Sequence, residues 1–347
     1  MTGGGNDCKR SVVKVLFDHP NPFSLAHGGF QVQIEQTKLA LEKTGCEVEW
    51  LRWWEAEQKG DVVHYFGRPH PTYIQQSQQM GLKVVMTELL TGLGSRTAFG
   101  RFIQRWMIKG ARGSLPHDFT ARMGWDSYRL AHRVIALTAW EKQLMEEQFS
   151  APEGRVVVVP NGVEEVFLRS FGKTPRGTHL VTTMTITERK RSVELAQAAA
   201  LAKVKLRIIG SPYHPQDPYH LRFLAALREA GPWVEYAGGI SDRAQLAGEY
   251  RRAGGFVLLS GMESQSLSAL EAAACGCPLL LSDLPWAKVS FADQASYAPL
   301  ASPERTAPHL RKFAAELDKA PRTTRIMGWH EVAGRLREVY REAMTSR

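Results

Sequence analysis

Short β-branched runs alternate with helix-period stretches from one end of the chain to the other, and few folds accept that alternation. SVVKVLF (11–17), CEVEWL (46–51), DVVHYF (61–66), KVVMTEL (83–89), RVIALT (133–138) and RVVVVP (155–160) read as buried strands. Residues 30–43 carry apolar positions at Val32, Ile34, Leu39 and Leu41 and stop at Gly45, the pattern of an amphipathic helix. After PNGVEEVF (160–167) the pattern restarts with THLVTTMT (178–185), KLRIIG (205–210), WVEYAG (233–238), GFVLLS (255–260), PLLLSD (278–283) and SYAPL (296–300), with helices near 192–203, 221–230 and 242–253 between them. Such alternation predicts parallel sheets wrapped by helices. The expected fold class is α/β: two facing, doubly wound Rossmann-like domains, 1–160 and 161–322, with a ligand cleft at the carboxyl ends of both strand sets. A helical, mixed-charge stretch, 323–347, caps the second domain or crosses back to the first.

The length of 347 residues suits two domains of about 150 each. The four cysteines, Cys8, Cys46, Cys275 and Cys277, are too few and too irregular for a disulfide framework, and Cys275-Gly-Cys277 has no second ligand pair for zinc. The expectation is a reduced, cytoplasmic protein. No signal-like apolar run precedes the first strand, and no stretch approaches the ~20 apolar residues of a membrane span. The chain therefore reads as soluble, or peripheral at the inner face of a membrane.

The stretch GMESQSLSALEAAACGCPLLLSD (261–283) carries the chemistry. GFVLLS is a strand whose carboxyl end meets the cleft, and Glu263 follows three residues later in a turn. Ser264, Ser266 or Ser268 caps the next helix, and Ser268 with Glu271 has the spacing of a capping box. Gly276 and Pro278 stop that helix. A helix N-terminus suits phosphate, and carboxylates beside it accept hydrogen bonds from hydroxyls. Together they point to a nucleotide sugar.

The glutamates eight residues apart, the following A-x-G-x-P, the preceding GGISDRAQLAGEYRRAGG and VVVVPNGVEEVF, and, more weakly, HGGFQVQIEQTKLALEKTG (27–45) and DVVHYF stand in family order. The chain thereby resembles the retaining glycosyltransferases of family 4, which have the GT-B fold. The resemblance implies transfer of a sugar from a UDP- or GDP-sugar to a glycan, lipid-linked or other hydroxyl acceptor, with retention and without a metal, cationic side chains and a helix dipole taking the metal's place. It implies that Glu271 binds ribose hydroxyls and Glu263 those of the transferred sugar, and that Gly28 and Gly29 let the backbone approach the diphosphate. It further implies that Ser266 and Leu267 offer amides to the phosphates, that Gly210 and Gly239 mark loops around the base, and that Asn161 and Gly162 form a turn lining the cleft.

The chain departs from that pattern at three places. Thr185 stands where the family has an arginine, and the lysine that follows falls on Arg191 or Lys190. Glu88 or Leu89 stands where the family has a histidine; His64, in the neighbouring strand, joins Glu263, Arg191 and Lys190 as a catalytic candidate against the plainer reading of a structural histidine. Ser264, Gln265 and Ser266 replace a glycine-rich run. These departures keep open a nucleotide-sugar-binding protein with little or no turnover. A nucleotide-sugar epimerase is the other alternative, disfavoured by the two glutamates and the PNG turn together.

The net charge is +9. Between Arg96 and Arg133 lie eight basic residues (Arg96, Arg101, Arg105, Lys109, Arg112, Arg122, Arg129, Arg133) against Asp118 and Asp126. Arg101, Arg105 and Lys109 recur every four residues beside Phe102, Ile103, Trp106 and Met107, as on a short amphipathic helix. That face suits anionic lipid or phosphate; the plainer reading is a solvated basic face over an ordinary core stripe. No recognisable nucleic-acid-binding signature accompanies it, so nucleic acid is not expected as a partner.

Overall fold

The computed structural model describes residues 12–20, 23, 28–94, 96–169, 176–323 and 325–346. Cys8, Ser11 and most of the loop between the first strand and Gly28 lie outside the described residues. The first sheet contains β1 (Lys14–Asp18), β2 (Glu47–Trp50), β3 (Val62–Phe66), β4 (Lys83–Thr87), β5 (Arg133–Ala136) and β6 (Val156–Val158) in the order β2-β1-β3-β4-β5-β6. The second contains β7 (Leu180–Thr183), β8 (Leu206–Ile209), β9 (Val234–Tyr236), β10 (Gly255–Leu258), β11 (Leu279–Ser282) and β12 (Ser296–Ala298) in the order β12-β11-β10-β7-β8-β9. Every pairing is parallel. Two parallel sheets flanked by helices are the α/β architecture that the alternation of strands and helices predicts.

Side chains of a strand alternate between its two faces, and both faces of a wound sheet are covered. Val15, Phe17, Val62, Phe66, Val85 and Ile135 accordingly join one core cluster, while Leu16, Val63, Val84, Met86, Val134 and Ala136 join the other. The first cluster is closed by the Gly29–Lys43 helix and by the C-terminal helix Trp329–Thr345, which buries Trp329, Val332, Leu336, Val339 and Tyr340 against the first sheet. The chain thus crosses between the domains twice. The crossings pair side by side: Val163 N–H donates to the Met327 carbonyl (2.9 Å) and Trp329 N–H to the Val163 carbonyl (3.3 Å). A Cβ on Gly162 would stand 2.7 Å from Trp329 N, so only glycine lets the two segments approach this closely.

The strands of each sheet run the same way, so the segments leaving their carboxyl ends gather at one edge. Gly28 and Gly29 follow β1, Leu89 follows β4, Leu137 follows β5, Thr185 follows β7, Tyr213 follows β8 and Glu263 follows β10; all line one cavity of about 350 Å³ between the sheets. The segment after Arg96 forms the Ala98–Ser114 helix, of which only Ile108 is buried. Its apolar side chains are not a core stripe.

Candidate functional site

The β10–helix turn begins the site. Ser266 caps the Leu267–Ala274 helix, its Oγ accepting from Ala269 N–H at 3.4 Å. The expected box between Ser268 and Glu271 does not form, because the helix starts at Leu267 and carries Glu271 into its second turn. Ser266, Leu267 and Ser268 line the cavity at the helix N-terminus, where the first amides have no partner within the helix.

Glu263 is 8% exposed and accepts from Lys190 Nζ (2.5 Å) and Arg189 Nη1 (2.9 Å). Burial raises its pKa, but the two cations outweigh burial and hold the carboxyl below the usual value. Burial in turn pulls Lys190 below its ordinary value, partly offset by Glu263. The turn that delivers both cations, Glu188–Lys190, is tied to the Glu263 turn through Gly261 N–H to the Arg189 carbonyl (2.9 Å).

Of the two candidate cations, Lys190 faces the cavity and Arg191 does not. Arg191 ends the turn in a left-handed conformation (φ 56), which swings its side chain to the Ala301 carbonyl at 2.6 Å and away from Glu263. The candidacy of Arg191 is corrected on that ground. Arg189, which the sequence reading passed over, takes its place in the cavity lining.

Glu271 is 6% exposed. It accepts from Arg243 Nη2 and from the Tyr250 hydroxyl (3.2 Å), and burial, the leading cause, pushes it above the usual carboxylate value despite Arg243. Arg243 also donates to Glu164 (2.6 Å) and lies over the Phe167 ring at 4.7 Å. It enters the site because Asp242 caps the Arg243–Arg252 helix, accepting from Ala244 and Gln245 N–H, and so sets Arg243 in the first turn. That cap is legible in the sequence; the partner across the cavity is not.

Asn161, 4% exposed, donates its backbone N–H to Gln265 Oε1 (2.7 Å), which fastens the domain crossing to the Glu263 turn, and its Oδ1 is buried without a partner. Ser264 donates from Oγ to Glu141 of the first domain at 2.5 Å. Glu141 accepts as well from Leu90 and Leu137 N–H (3.0 Å each), so one buried carboxylate holds two first-domain loops against the second domain. Burial, ahead of these donors, raises its pKa.

The remaining candidates divide. A Cβ on Gly28 (φ 136) would lie 3.7 Å from Thr185 Oγ1, and one on Gly29 3.8 Å from Leu267, so both glycines face the second domain across the cavity. Gly210 (φ 146) is required where it stands, since a Cβ would fall 1.7 Å from the Met184 carbonyl oxygen; a Cβ on Gly239 would lie 2.5 Å from Ser211 Oγ. Neither lines the cavity, whereas Tyr213 of the Gly210 loop does. Leu89 lines it, while Glu88 is held by Arg68 (Nη2, 2.7 Å) and the Tyr128 hydroxyl.

His64 lies outside the cavity. Alternation along β3 puts it on the face covered by the C-terminal helix, where Nδ1 meets the Tyr340 hydroxyl and Nε2 the Thr87 hydroxyl, each at 2.7 Å. Burial lowers its pKa to about 3. It is a neutral core histidine, which corrects its candidacy as a catalytic group. Among the described residues, no three His, Cys, Asp or Glu side chains gather as a metal site.

Residues 170–317 match the family model "Glycosyl transferases group 1". A D-inositol 3-phosphate glycosyltransferase of Nocardiopsis dassonvillei is 28% identical over 63% of this chain; the match spans 58% of that relative's length. Among solved structures, the fold is similar to a sucrose-phosphate synthase of Thermosynechococcus elongatus (TM-score 0.73, 17% identity, 95% of this chain and 98% of that one). It is similar also to Anabaena HepE in complex with UDP (TM-score 0.62, 13% identity, 95% of each chain). A third is AviGT4, a glycosyltransferase involved in avilamycin A biosynthesis (TM-score 0.64, 15% identity, 96% of this chain and 99% of that one). The chain thus shares the GT-B fold of these solved structures, and its residues 170–317 match the group 1 glycosyl transferase model.

Proposed function

We propose that the protein transfers a sugar, with retention and without a metal, from a UDP- or GDP-sugar to a hydroxyl of a glycan or lipid-linked acceptor at the cytoplasmic face of a membrane. The observation that carries this reading is the convergence of two buried carboxylates, Glu263 and Glu271, three cationic side chains and a helix N-terminus on one interdomain cavity. Glu271 addresses the ribose hydroxyls after Arg243 yields part of its hold, and Glu263, kept ionised by Lys190 and Arg189, accepts hydrogen bonds from the transferred sugar. The amides at Ser266 and Leu267 and the charge of Arg189 and Lys190 meet the diphosphate. As the bond from sugar C1 to phosphate oxygen breaks, the acceptor oxygen bonds C1 on the same face and its proton passes to the departing phosphate oxygen. The negative charge grows on the diphosphate, and a preorganised donor there contributes typically about 10²–10³ in rate.

A second reading, donor binding without turnover, is favoured by one observation: Thr185 lines the cavity where the resemblance calls for a cation. Thermal stabilisation by UDP-, GDP- and ADP-sugars and the bare diphosphates, in wild type and Glu271→Ala, with and without EDTA, tests the donor. UDP heads the panel because HepE is a structure with that ligand. A shift for one nucleotide that needs Glu271 and survives EDTA supports the reading; a shift that EDTA abolishes removes its metal-free part. Donor hydrolysis or transfer that disappears in Glu263→Ala separates a transferase from a binder, which shows none in either form.

A further inference from the structure

We propose that the Ala98–Ser114 helix is an interfacial anchor whose apolar face inserts into an anionic bilayer. The proposal deepens the membrane part of the function above by naming the element that makes contact. At about 100° per residue, with Phe99 as origin, Phe102, Ile103, Trp106 and Met107 fall within about 80° of it, while Ile108 falls about 180° away. Ile108 is the buried residue of this helix, and Phe99, Trp106 and Met107 are 72%, 63% and 67% exposed. The helix is therefore docked by its opposite side and turns a continuous aromatic and aliphatic face outward. A face of that kind in water marks a binding site.

Charge selects the occupant. The helix contains no acidic residue, and Arg101, Arg105, Lys109 and Arg112 all fall on one flank between the buried side and the apolar face. Two of these serve the docking: the Arg101 guanidinium lies over the Trp140 ring at 4.7 Å, and Arg112 reaches the Trp125 and Phe149 carbonyls at 3.0 and 3.1 Å. Arg105 and Lys109 stay exposed beside the apolar face. An apolar face with an interfacial tryptophan and a basic border is the composition of a helix lying in the headgroup plane of an anionic membrane. Among the described residues no helix is long and apolar enough to cross one. The helix also belongs to the crossover that leaves β4 beside Leu89 of the cavity, which brings a lipid-borne hydroxyl to the first-domain side of the site.

Flotation with vesicles of equal parts phosphatidylglycerol and phosphatidylcholine tests the proposal, with pure phosphatidylcholine as control. Wild type is expected to float with the anionic vesicles. Phe102→Glu/Trp106→Glu is expected to lose at least about tenfold in partitioning, since each buried aromatic contributes well over that factor when fully inserted. Arg105→Gln/Lys109→Gln is expected to lose about fivefold per residue at low salt. All side chains changed are exposed, so melting temperature and nucleotide-induced stabilisation stay at wild-type values, which excludes unfolding. Three outcomes overturn the proposal: wild type that ignores anionic vesicles, flotation untouched by the aromatic pair, or a wild-type dimer in light scattering that the aromatic pair makes monomeric, which assigns the face to a second copy of the chain. Flotation needs neither donor nor turnover, so its failure and failure of the sugar-transfer reading are read separately.

Discussion

Replacing Lys190 by methionine tests whether the charge network around Glu263 is what holds the donor side of the cleft in place. Lys190 and Glu263 are each 8% exposed and 2.5 Å apart. Methionine keeps the length of the side chain and removes the charge, leaving a buried carboxylate with Arg189 as its cation. Removing one partner of a buried pair costs about 3–5 kcal/mol. Because Arg189 remains, the expected loss is at the lower end, about 3 kcal/mol, or about 6–12 °C in the melting of a domain of 150–250 residues. In wild type, the lowered pKa of Glu263 contributes stability that is present at neutral pH and is lost as pH falls through the folded value. In Lys190→Met, burial dominates and raises the carboxyl, so the penalty is full above the folded pKa and fades as Glu263 takes a proton. The gap between the two proteins therefore narrows on acidification, first above about pH 4.5 as the variant's raised carboxyl takes its proton and then below it as wild type loses the contribution of its lowered one. Lys190→Met/Glu263→Gln removes the orphaned charge and should recover about 2 kcal/mol against additivity. A Lys190→Met melting point within about 2 °C of wild type at pH 7, with no recovery in the double variant, would refute the ion-pair argument.

Arg191→Gly, at a left-handed position, should stay within about 1 kcal/mol of wild-type stability, relief of backbone strain offsetting the lost bond to Ala301, and should leave donor turnover intact; a turnover loss as large as that of Lys190→Met would restore Arg191 to the site. Gly162→Ala should lower stability by about 1–3 kcal/mol through the 2.7 Å approach to Trp329 N, and proteolysis of the domain crossing should quicken. His64, with a folded pKa of about 3, binds its proton less readily folded than unfolded, so stability is complete above about pH 6.5 and declines by roughly 1.4 kcal/mol per unit between there and pH 3. His64→Gln should flatten that decline in acid unfolding while costing stability at pH 7, and an unchanged slope would remove His64 as its source. Glu141→Gln turns an NH2 toward one of the two backbone donors and should cost about 1 kcal/mol or more, whereas Glu141→Ala strands both Leu90 and Leu137 N–H and should cost about 2–3 kcal/mol by thermal unfolding.

Strand positions were legible because a buried parallel strand writes itself as an uninterrupted β-branched run. Glu263 and Glu271 were legible because strand, turn and helix fix their separation. That the first two of three consecutive basic residues face Glu263 and the third does not was not legible, since that depends on one 3-10 turn and a left-handed Arg191. His64 shows the same limit from the other direction. Period two assigns it to the face of β3 shared with Val62 and Phe66, yet what covers that face, Tyr340, arrives from 276 residues away. Glu141 carried a local signal, three residues after the helix cap Thr138, but its carboxylate reaches the backbone of Leu137 and Leu90 and across the domains to Ser264. Arg243 likewise followed a readable cap while its partners, Glu164 and Glu271, come from other elements. The contacts missed are those between elements, where geometry rather than pattern decides.

The electrostatics of the cleft bear on what Thr185 means. Lys190 and Arg189 both contact Glu263, and Arg243 bridges Glu164 and Glu271, so three cations stand against three carboxylates before any donor arrives. A diphosphate brings further negative charge to a site already near balance, and buried charge without a counter-charge is costly. Lys190, one-tenth exposed at its side chain, is committed to Glu263; Arg189 is 35% exposed there and uses only Nη1 in the bonds to Glu263 and Met262. A guanidinium has five donors in a planar fork, so Arg189 can hold Glu263 with one edge and meet phosphate with another, which a single ammonium cannot do as readily. Within the proposed function, the charge absent at Thr185 is therefore supplied four residues later by Arg189, together with the amides at Ser266 and Leu267, and the departure from the pattern of the resemblance relocates a cation rather than removing one.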